Sequence, residues 1–299
     1  MTTLPSIQGE EVAQRPLRVL TAWLSEQEAM VHLLGRTPMP QEDLTAISQK
    51  ILACKASLEA RPVFVPKYPV IDVGDDPMLQ AMKERPEIRA AFAGLTWYPA
   101  MVNLRDVIAF QKIISVEGLE ARVASAHRNK EQLLELCLPT NQPLPLSAAL
   151  VDPDGRGFTV SSHNPNLRIT GGQGEAEVSP GPGLPTIRMQ ALMFFVTLGA
   201  SFVQVAHYKG RYFIRDGYHR GAGLLHEGID VAPCILIDAK NFDEVVMGQP
   251  QAFLPYEILF GERPPRLADF WDDDVAHTIL RPAVRKIVRV RGDEFVVQG

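Results

Sequence analysis

The sequence predicts an α+β protein, with a helical N-terminal region followed by a mixed unit of helices and strands. Apolar residues recur near helical spacing between residues 10 and 60, which is typical of amphipathic helices. Short strand-like pieces separated by Pro, Gly, Asn and Ser fill residues 138–185. From residue 186 onward, dense apolar runs and glycines indicate the order helix, hairpin, helix and strand.

Residues 10–60 are predicted to form a helical hairpin. The polar break GRTPMPQED separates two apolar runs and offers residues that can cap the second helix. The apolar positions are Leu17, Val19, Leu20, Trp23 and Leu24 in the first helix, and Leu44, Ile47, Ile51, Leu52 and Leu58 in the second.

The next segments are predicted to be extended chain and further helices. Pro62, Pro66 and Pro69 exclude both a helix and a central strand around them. A short helix is expected at 77–93 and a longer one at 119–137. Between them, the apolar run WYPAMVNLRDVIAFQKII has no single period, so strand and helix both remain open.

A domain boundary is expected near residue 180, within a stretch of glycine and proline. The pieces GFTVSS and LRITGG indicate strands, whereas GGQGEAEVSPGPGLP is typical of a flexible loop or linker. Residues 1–180 would then form the mostly helical N-terminal region with a β-like end, and residues 181–299 a second domain with a C-terminal extension.

Residues 187–238 carry the most regular pattern. IRMQALMFFVTLGAS predicts a buried helix, and FVQVAHYKGRYFIRDG predicts a hairpin with Lys209-Gly210 at its turn. YHRGAGLLHEG predicts a short helix that ends at Gly228, and VAPCILIDA predicts a buried strand. In the tail, Val288 and Val290 alternate with arginines, as in a half-exposed strand.

Composition indicates a cytoplasmic globular protein. The formal net charge is −5, whereas a dedicated nucleic-acid binder usually shows a basic domain or stripe, so nucleic acid is not the expected partner. Cys54, Cys137 and Cys234 are far apart, which argues against a zinc site and a disulfide and predicts reduced, mostly buried thiols. No apolar run of 18 residues and no signal-peptide pattern is present, so no membrane association is expected.

The strand-to-helix turn Asp216-Gly217-Tyr218-His219-Arg220 is the candidate functional site. Gly217 permits a backbone angle that other residues resist, and the first turn of the following helix attracts anions through unpaired N–H groups. Arg220 can grip a phosphate in bidentate fashion, and His219 can donate or relay a proton. The turn therefore predicts a site for a phosphorylated ligand.

Each residue of the turn also has a structural interpretation. Asp216 could cap the helix, act as a general base or bind a metal ion. Gly221 would admit either a ligand or another segment of the chain. The convergence of polar groups at one helix start favours functional use. The candidate residues are Asp216 and His219 for catalysis, and Gly217, Tyr218, Arg220 and Gly221 for ligand binding.

The segment YFIRDGYHRGAGLLHEGIDVAPCILID resembles the signature of the ParB/sulfiredoxin-like superfamily. Members share a strand, then Asp-Gly-x-His/Arg-Arg, then a helix, a glycine, and a strand with a proline near its start. The resemblance covers about residues 187–238 and implies a mixed α/β unit of that fold. The matching residues are Asp216, Gly217, His219, Arg220, Gly228 and Pro233.

The sequence departs from the family pattern at Tyr218, and this departure limits which of the superfamily's activities the resemblance implies. Tyr218 stands where sulfiredoxins place the reactive cysteine and where chromosome-partition members have a glutamate, so neither activity is implied. The Asp-Gly-x-His-Arg form looks closer to the superfamily's nucleotide-using small-molecule kinases. That similarity implies ATP or ADP with Mg²⁺ as cofactors, and phosphate contacts from Gly217, His219 and Arg220.

Functions of different classes remain open. In a nucleotide-dependent phosphotransferase or hydrolase, Asp216 would orient or deprotonate the attacking group. His219 and Arg220 would stabilise the charge on the phosphoryl group. In a non-catalytic module, the turn would sense a nucleotide or another anion, with a protein as a further partner. Nucleic-acid binding or cleavage rests only on fold analogy and on the basic tail Arg281–Arg291.

The acidic run Asp269–Asp274 is a weaker candidate site. Its four aspartates could bind Mg²⁺ or Ca²⁺, but acids favour the first turn of a helix, and a solvated helix start is the favoured interpretation. The arginines of the tail are expected to pair with these aspartates.

The charge balance predicts weak, salt-sensitive binding to duplex DNA at most, through Arg281–Arg291. In a gel-shift titration at physiological salt, no tight complex with a defined sequence is expected. A tight and sequence-specific shift under these conditions would contradict the prediction.

Overall fold

The chain divides into two compact units that differ from the predicted domains. Residues 1–140 with 201–283 form the first unit, and residues 141–200 with 284–299 form the second. The predicted boundary near residue 180 falls inside the second unit. The computed structural model describes residues 14–34, 41–72, 76–117, 119, 123–124, 129–139, 149–151, 155, 157–162, 167–178, 187–198, 202–246, 253–282 and 286–292.

Helices and sheets are both present, which confirms the α+β class. The described α-helices all belong to the first unit. They are α1 (Glu26–Leu34), α2 (Gln41–Ala60), α3 (Pro77–Lys83), α4 (Pro86–Ala91), α5 (Lys130–Cys137), α6 (Tyr218–His226), α7 (Phe242–Val246) and α8 (Tyr256–Leu259). Within the part of the chain that the structure describes, no helix combines the length and apolar character that a membrane span requires.

The strands of the first unit build two sheets. They are β1 (Gln14–Val19), β2 (Val70–Asp72), β3 (Trp97–Asn103), β4 (Ile108–Ala109), β5 (Ile113–Ser115), β10 (Gln204–Tyr208), β11 (Arg211–Asp216), β12 (Val231–Asp238) and β13 (His277–Pro282). One sheet has the order β13-β1-β5, and the other has the order β2-β3-β12-β10-β11-β4.

The six-stranded sheet is strongly curled. Strands β3 and β4 are separated by three others in the sheet, which would place them about 19 Å apart if the sheet were flat. The chain from Asn103 to Ile108 passes through a short 3-10 helix, Leu104–Asp106, and could span only about 17 Å even if fully extended. The two ends of the sheet therefore bend toward each other.

The second unit consists of strands in its described part. They are β6 (Ala149–Val151), β7 (Gly157–Ser162), β8 (Leu167–Val178), β9 (Ile187–Leu198) and β14 (Lys286–Arg291). One sheet has the order β14-β7-β6, and β8 pairs with β9 in a separate antiparallel ribbon. In β14, Val288 and Val290 are half-buried and Arg289 is exposed, so the predicted alternation is confirmed.

The predicted hairpin of two helices is confirmed only in part. Helices α1 and α2 pack against each other, but Leu17 and Val19 lie in strand β1 rather than in a helix. β1 pairs with β13 on one side and with β5 on the other. Pairing with distant segments thus decides the structure here, although the spacing of the apolar residues favours a helix. The predicted first helix is therefore wrong at Leu17 and Val19.

Two predictions around residues 167–198 are also wrong. The predicted buried helix is strand β9, and most of the predicted glycine-rich loop belongs to β8. The two strands pair over 12 residues, from Leu167 opposite Leu198 to Val178 opposite Ile187. A short apolar run fits a strand and a buried helix equally well, and Phe194-Phe195-Val196-Thr197 is rich in residues that favour strands.

The remaining elements of the 187–238 pattern are confirmed. Strands β10 and β11 form a hairpin, with Lys209 and Gly210 both at positive φ, as a tight two-residue turn requires. Helix α6 ends before Gly228, whose φ is +75°. Strand β12 is buried and pairs in parallel with β10. The predicted helix at 77–93 is two helices, α3 and α4, and within the predicted helix at 119–137 the structure describes α5.

The three cysteines are buried, as the composition suggests. Burial raises the pKa of Cys137 to about 12 and the pKa of Cys234 well above its ordinary value. Both side chains are therefore neutral thiols at neutral pH.

Gly217→Ala is expected to destabilise the protein far more than Gly94→Ala. The two glycines have nearly the same φ, +86° and +85°, but a Cβ on Gly217 would lie 2.8 Å from the Cα of Val203, whereas nothing lies within 4 Å of one on Gly94. The left-handed backbone alone costs an alanine about 1–2 kcal/mol, and the clash adds about 1–3 kcal/mol. Urea unfolding would measure both variants, and equal losses would show that close packing at Gly217 is unimportant.

Candidate functional site

The candidate turn lies where strand β11 leads into helix α6. Gly217 adopts the left-handed conformation and occupies the N-cap position of α6, where it has no side chain to cap the helix. Asp216 lies one residue too early to be the cap, and its Oδ1 instead accepts a hydrogen bond of 2.6 Å from the Gly217 N–H. The turn thus has the predicted backbone form, with its carboxylate engaged locally.

Tyr218 is directed into the fold. Only 5% of its surface is exposed, and its hydroxyl oxygen accepts hydrogen bonds from the N–H groups of Phe110 at 2.9 Å and Gln111 at 3.2 Å. Burial raises the pKa of the phenol far above its usual range. This residue, predicted to touch a ligand, instead anchors the chain that follows β4.

His219 and Arg220 connect the turn to two other elements. The Nε2 atom of His219 accepts a hydrogen bond of 3.2 Å from the N–H of Ser115, at the end of β5. Nη1 of Arg220 donates a hydrogen bond of 3.0 Å to the carbonyl oxygen of Leu136, in the last turn of α5. Carbonyls at a helix C-terminus have no partner within the helix and carry partial negative charge, so a guanidinium is favoured there.

Gly221 admits a chain segment rather than open space. A Cβ at this position would lie 2.8 Å from Cδ2 of Leu267, which belongs to the 3-10 helix Leu267–Trp271. Of the two interpretations that the sequence left open for Gly221, close packing of the chain is the one that the structure shows.

The acidic run is held by arginines other than those of the tail. Arg61 pairs with Asp269 at 3.1 Å and also with Asp272, while Arg18 pairs with Asp273 at 2.7 Å. Arg281, a tail residue expected to pair here, donates instead to the carbonyl oxygen of His32. The predicted pairing with Arg281 is therefore wrong.

A polar groove of about 510 Å³ lies beside the acidic run. Its lining consists of Arg105, Arg266, Ala268, Asp269, Trp271, Asp272, Asp273 and Asp274. Across the described ranges, no three His, Cys, Asp or Glu side chains gather closely enough to hold a metal ion.

The structure brings together one pair with catalytic potential that the sequence does not reveal. Sγ of Cys54 lies 3.4 Å from Nδ1 of His277, and the two residues are 223 positions apart. Burial, followed by Asp274 and Asp272, raises the pKa of Cys54, and burial lowers the pKa of His277. Both shifts favour the neutral thiol and imidazole, whereas a nucleophilic cysteine needs its thiolate.

Comparison of the chain with protein-family models, with curated proteins and with solved structures gives no match. The similarity of the Asp216–Arg220 turn to the ParB/sulfiredoxin-like superfamily stays a prediction. The function must therefore be argued from the geometry of the chain itself.

Tyr218→Phe is expected to lower the free energy of unfolding by about 2–4 kcal/mol, because the N–H groups of Phe110 and Gln111 lose their acceptor. Tyr256→Phe is the matched control. Its hydroxyl accepts one exposed hydrogen bond from Lys209, so a loss below about 0.5 kcal/mol is expected. Equilibrium unfolding in urea compares the two. Similar losses would mean that the Tyr218 hydroxyl does not anchor the chain after β4.

Proposed function

We propose that the chain is a non-catalytic module that binds a phosphorylated ligand, a nucleotide among the candidates, at the start of helix α6. The observation that carries the proposal is the backbone of the turn, in which α6 begins at a left-handed glycine that has no side chain to cap it. Helix starts of this form bind phosphate through backbone N–H groups and the helix dipole.

Arg220 supports the choice of an anion. It lies in the first turn of α6 and is half-buried, so its charge is screened less than that of a fully exposed arginine. Its hydrogen bond to Leu136 fixes the guanidinium beside the helix start. A phosphate bound there would gain a charge-assisted contact in addition to the backbone donors.

The engagement of Asp216 and His219 favours binding over catalysis. A general base needs a free lone pair directed at its substrate. Oδ1 of Asp216 already accepts from Gly217, and Nε2 of His219 already accepts from Ser115. A phosphotransferase or hydrolase that uses Nε2 of His219 as its base would have to break the contact with Ser115.

The contact between Arg220 and Leu136 links the candidate turn to another element. Nη1 donates to the Leu136 carbonyl, and the guanidinium has five N–H donors in all, so a phosphate would bind through the others. A bound phosphate would then share Arg220 with the last turn of α5. This shared contact supports the role of a regulatory module.

Arg220→Ala is expected to weaken phosphate or nucleotide binding about ten- to a hundred-fold, the equivalent of losing about 1.5–3 kcal/mol from a charge-assisted contact. A thermal-shift screen with inorganic phosphate, ADP and ATP, each with and without Mg²⁺, identifies a ligand for the unmodified protein. Isothermal titration of that ligand then measures the variant, and His219→Ala is expected to lose less affinity.

Arg89→Ala is the matched control, because Arg89 also donates to a backbone carbonyl, that of Lys83, but lies on helix α4. Its affinity for the ligand should equal that of the unmodified protein. A purely structural Arg220 would lower the melting temperature of its variant and leave affinity unchanged, which would contradict the proposal. Turnover of ATP by the unmodified protein would contradict the non-catalytic assignment.

A further inference from the structure

Four chemically active side chains share one face of the six-stranded sheet, away from the α6 turn. The register places His207 opposite Tyr212 on β11 and opposite Asp238 on β12. Tyr98 on β3 lies opposite Leu236, two positions before Asp238. Directly paired residues, and residues two apart on a strand, point to the same side of a sheet, so all four side chains lie on one face.

The rings of this face meet at defined angles. The imidazole of His207 stacks on the ring of Tyr212 at 4.6 Å and 20°, and its Nδ1 lies 3.2 Å from Oδ1 of Asp238. Tyr68, from the extended segment before β2, stands almost perpendicular to Tyr212, at 5.9 Å and 85°. The curl of the sheet accounts for this contact, because Tyr68 enters the sheet at the opposite end from β11.

The cluster is open to solvent on one side. Tyr68 is 66% exposed and Tyr212 only 8%, so Tyr212 forms the base of the cluster and Tyr68 a wall. The side chains of His207 and Asp238 are partly exposed. A small ligand can therefore reach the Tyr68 ring and the Asp238 carboxylate from solvent.

Asp238 is an acidic group beside the phenols of the cluster, and it affects their pKa values. The pKa of Tyr98 is raised to about 12, mainly by burial and to a smaller extent by Asp238, Tyr68 and Tyr212. Burial also raises the pKa of Tyr212, with Tyr68 and Asp238 adding to it. The contribution of Asp238, unlike that of burial, also favours a nearby positive charge.

The neighbouring basic residues lie over aromatic rings outside the cluster. Lys209 lies over the rings of Tyr208 and Tyr256, and Arg211 lies over those of Phe64 and Phe260. Among the described residues, no Lys or Arg lies over the rings of Tyr68, Tyr98 or Tyr212. This cluster thus combines aromatic rings and a carboxylate, with the imidazole of His207 stacked on one face of Tyr212.

We propose that Tyr68, Tyr98, Tyr212 and Asp238 form an aromatic cage for an organic cation of the trimethylammonium class. Such a cation is weakly hydrated and is attracted to the negative faces of aromatic rings, and groups of two or three rings with a carboxylate recognise it. Asp238 offsets the charge, and the two perpendicular rings enclose the methyl groups. The cage uses Tyr212 near the beginning of β11, whereas the phosphate turn starts at Asp216, at the end of the same strand. The two residues lie about 13 Å apart along the strand.

The experiment compares choline with 3,3-dimethylbutan-1-ol, which has the same shape without the charge. Isothermal titration of the full chain is expected to show choline binding, with the uncharged alcohol at least about ten-fold weaker. A trimethyllysine peptide is titrated in parallel. Tighter binding of the peptide identifies the source of the cation as a modified protein, and tighter binding of choline identifies it as a small molecule.

Variants test which groups form the cage. Tyr68→Leu is expected to weaken choline binding about three- to thirty-fold, and Tyr68→Phe, which keeps the ring, should bind nearly as well as the unmodified protein. Asp238→Asn should weaken binding of choline but not of the uncharged alcohol. Because Tyr68 is largely exposed, its variants are expected to keep their melting temperature.

Two controls separate this site from others. Tyr256→Leu removes a partly exposed ring outside the cluster, and Arg220→Ala alters the phosphate turn; both should bind choline normally. The proposal is overturned if choline does not bind at 10–20 mM (roughly the weak limit of a cage contact), if the uncharged alcohol binds equally well, or if Tyr68→Leu retains full affinity.

Discussion

The short path from β3 to β4 is the constraint on which the first unit depends. Only four residues separate the end of β3 at Asn103 from the start of β4 at Ile108, yet the two strands lie on either side of three others. The sheet must curl to satisfy this connection, and curling brings segments from its two ends together. Contacts such as that between Tyr68 and Tyr212 exist because of it.

Helix α6 supports this arrangement from one side. The Tyr218 hydroxyl holds the chain just after β4, His219 holds the end of β5, and Arg220 holds the last turn of α5. Close approach at Gly217 and Gly221 lets the helix pack tightly enough for these side chains to reach their partners. The residues that make the turn look like a ligand site are therefore also the residues that join it to three separate elements.

This double use explains why chemistry is hard to assign from residue types alone. A histidine, an arginine and an aspartate at a helix start can bind an anion, and they can equally satisfy backbone groups of neighbouring segments. In the turn, Asp216, His219 and Arg220 each have a backbone partner. The backbone of the helix start, rather than its side chains, is the strongest support for an anion.

Local sequence predicts the elements that depend on local interactions and misses those that depend on distant ones. The β10–β11 hairpin, helix α6 and strand β12 are predictable because a two-residue turn and two left-handed glycines mark their limits. Strand β1 is not, because its partners β13 and β5 lie far along the chain. The contact between Cys54 and His277 is hidden for the same reason.

The aromatic cluster also depends on contacts between segments that are distant in sequence. Tyr68, Tyr98, Tyr212 and Asp238 stand on different segments, with no common spacing that a search for motifs could detect. Pairing of strands and curling of the sheet place them together, and neither property can be predicted from a short stretch of sequence.

The alternation of the two units along the chain has a consequence for synthesis. Arg18 of β1 hydrogen-bonds to Phe270, which lies 252 residues later, and β1 pairs with β13. As the ribosome releases the chain, β1 can pair with β13 only after residues 277–282 have emerged. During that delay its unpaired edge is available to other nascent chains, and molecular chaperones are the general cellular safeguard for such intermediates. Slow, late closure of the β13-β1-β5 sheet is thus built into the order of the chain.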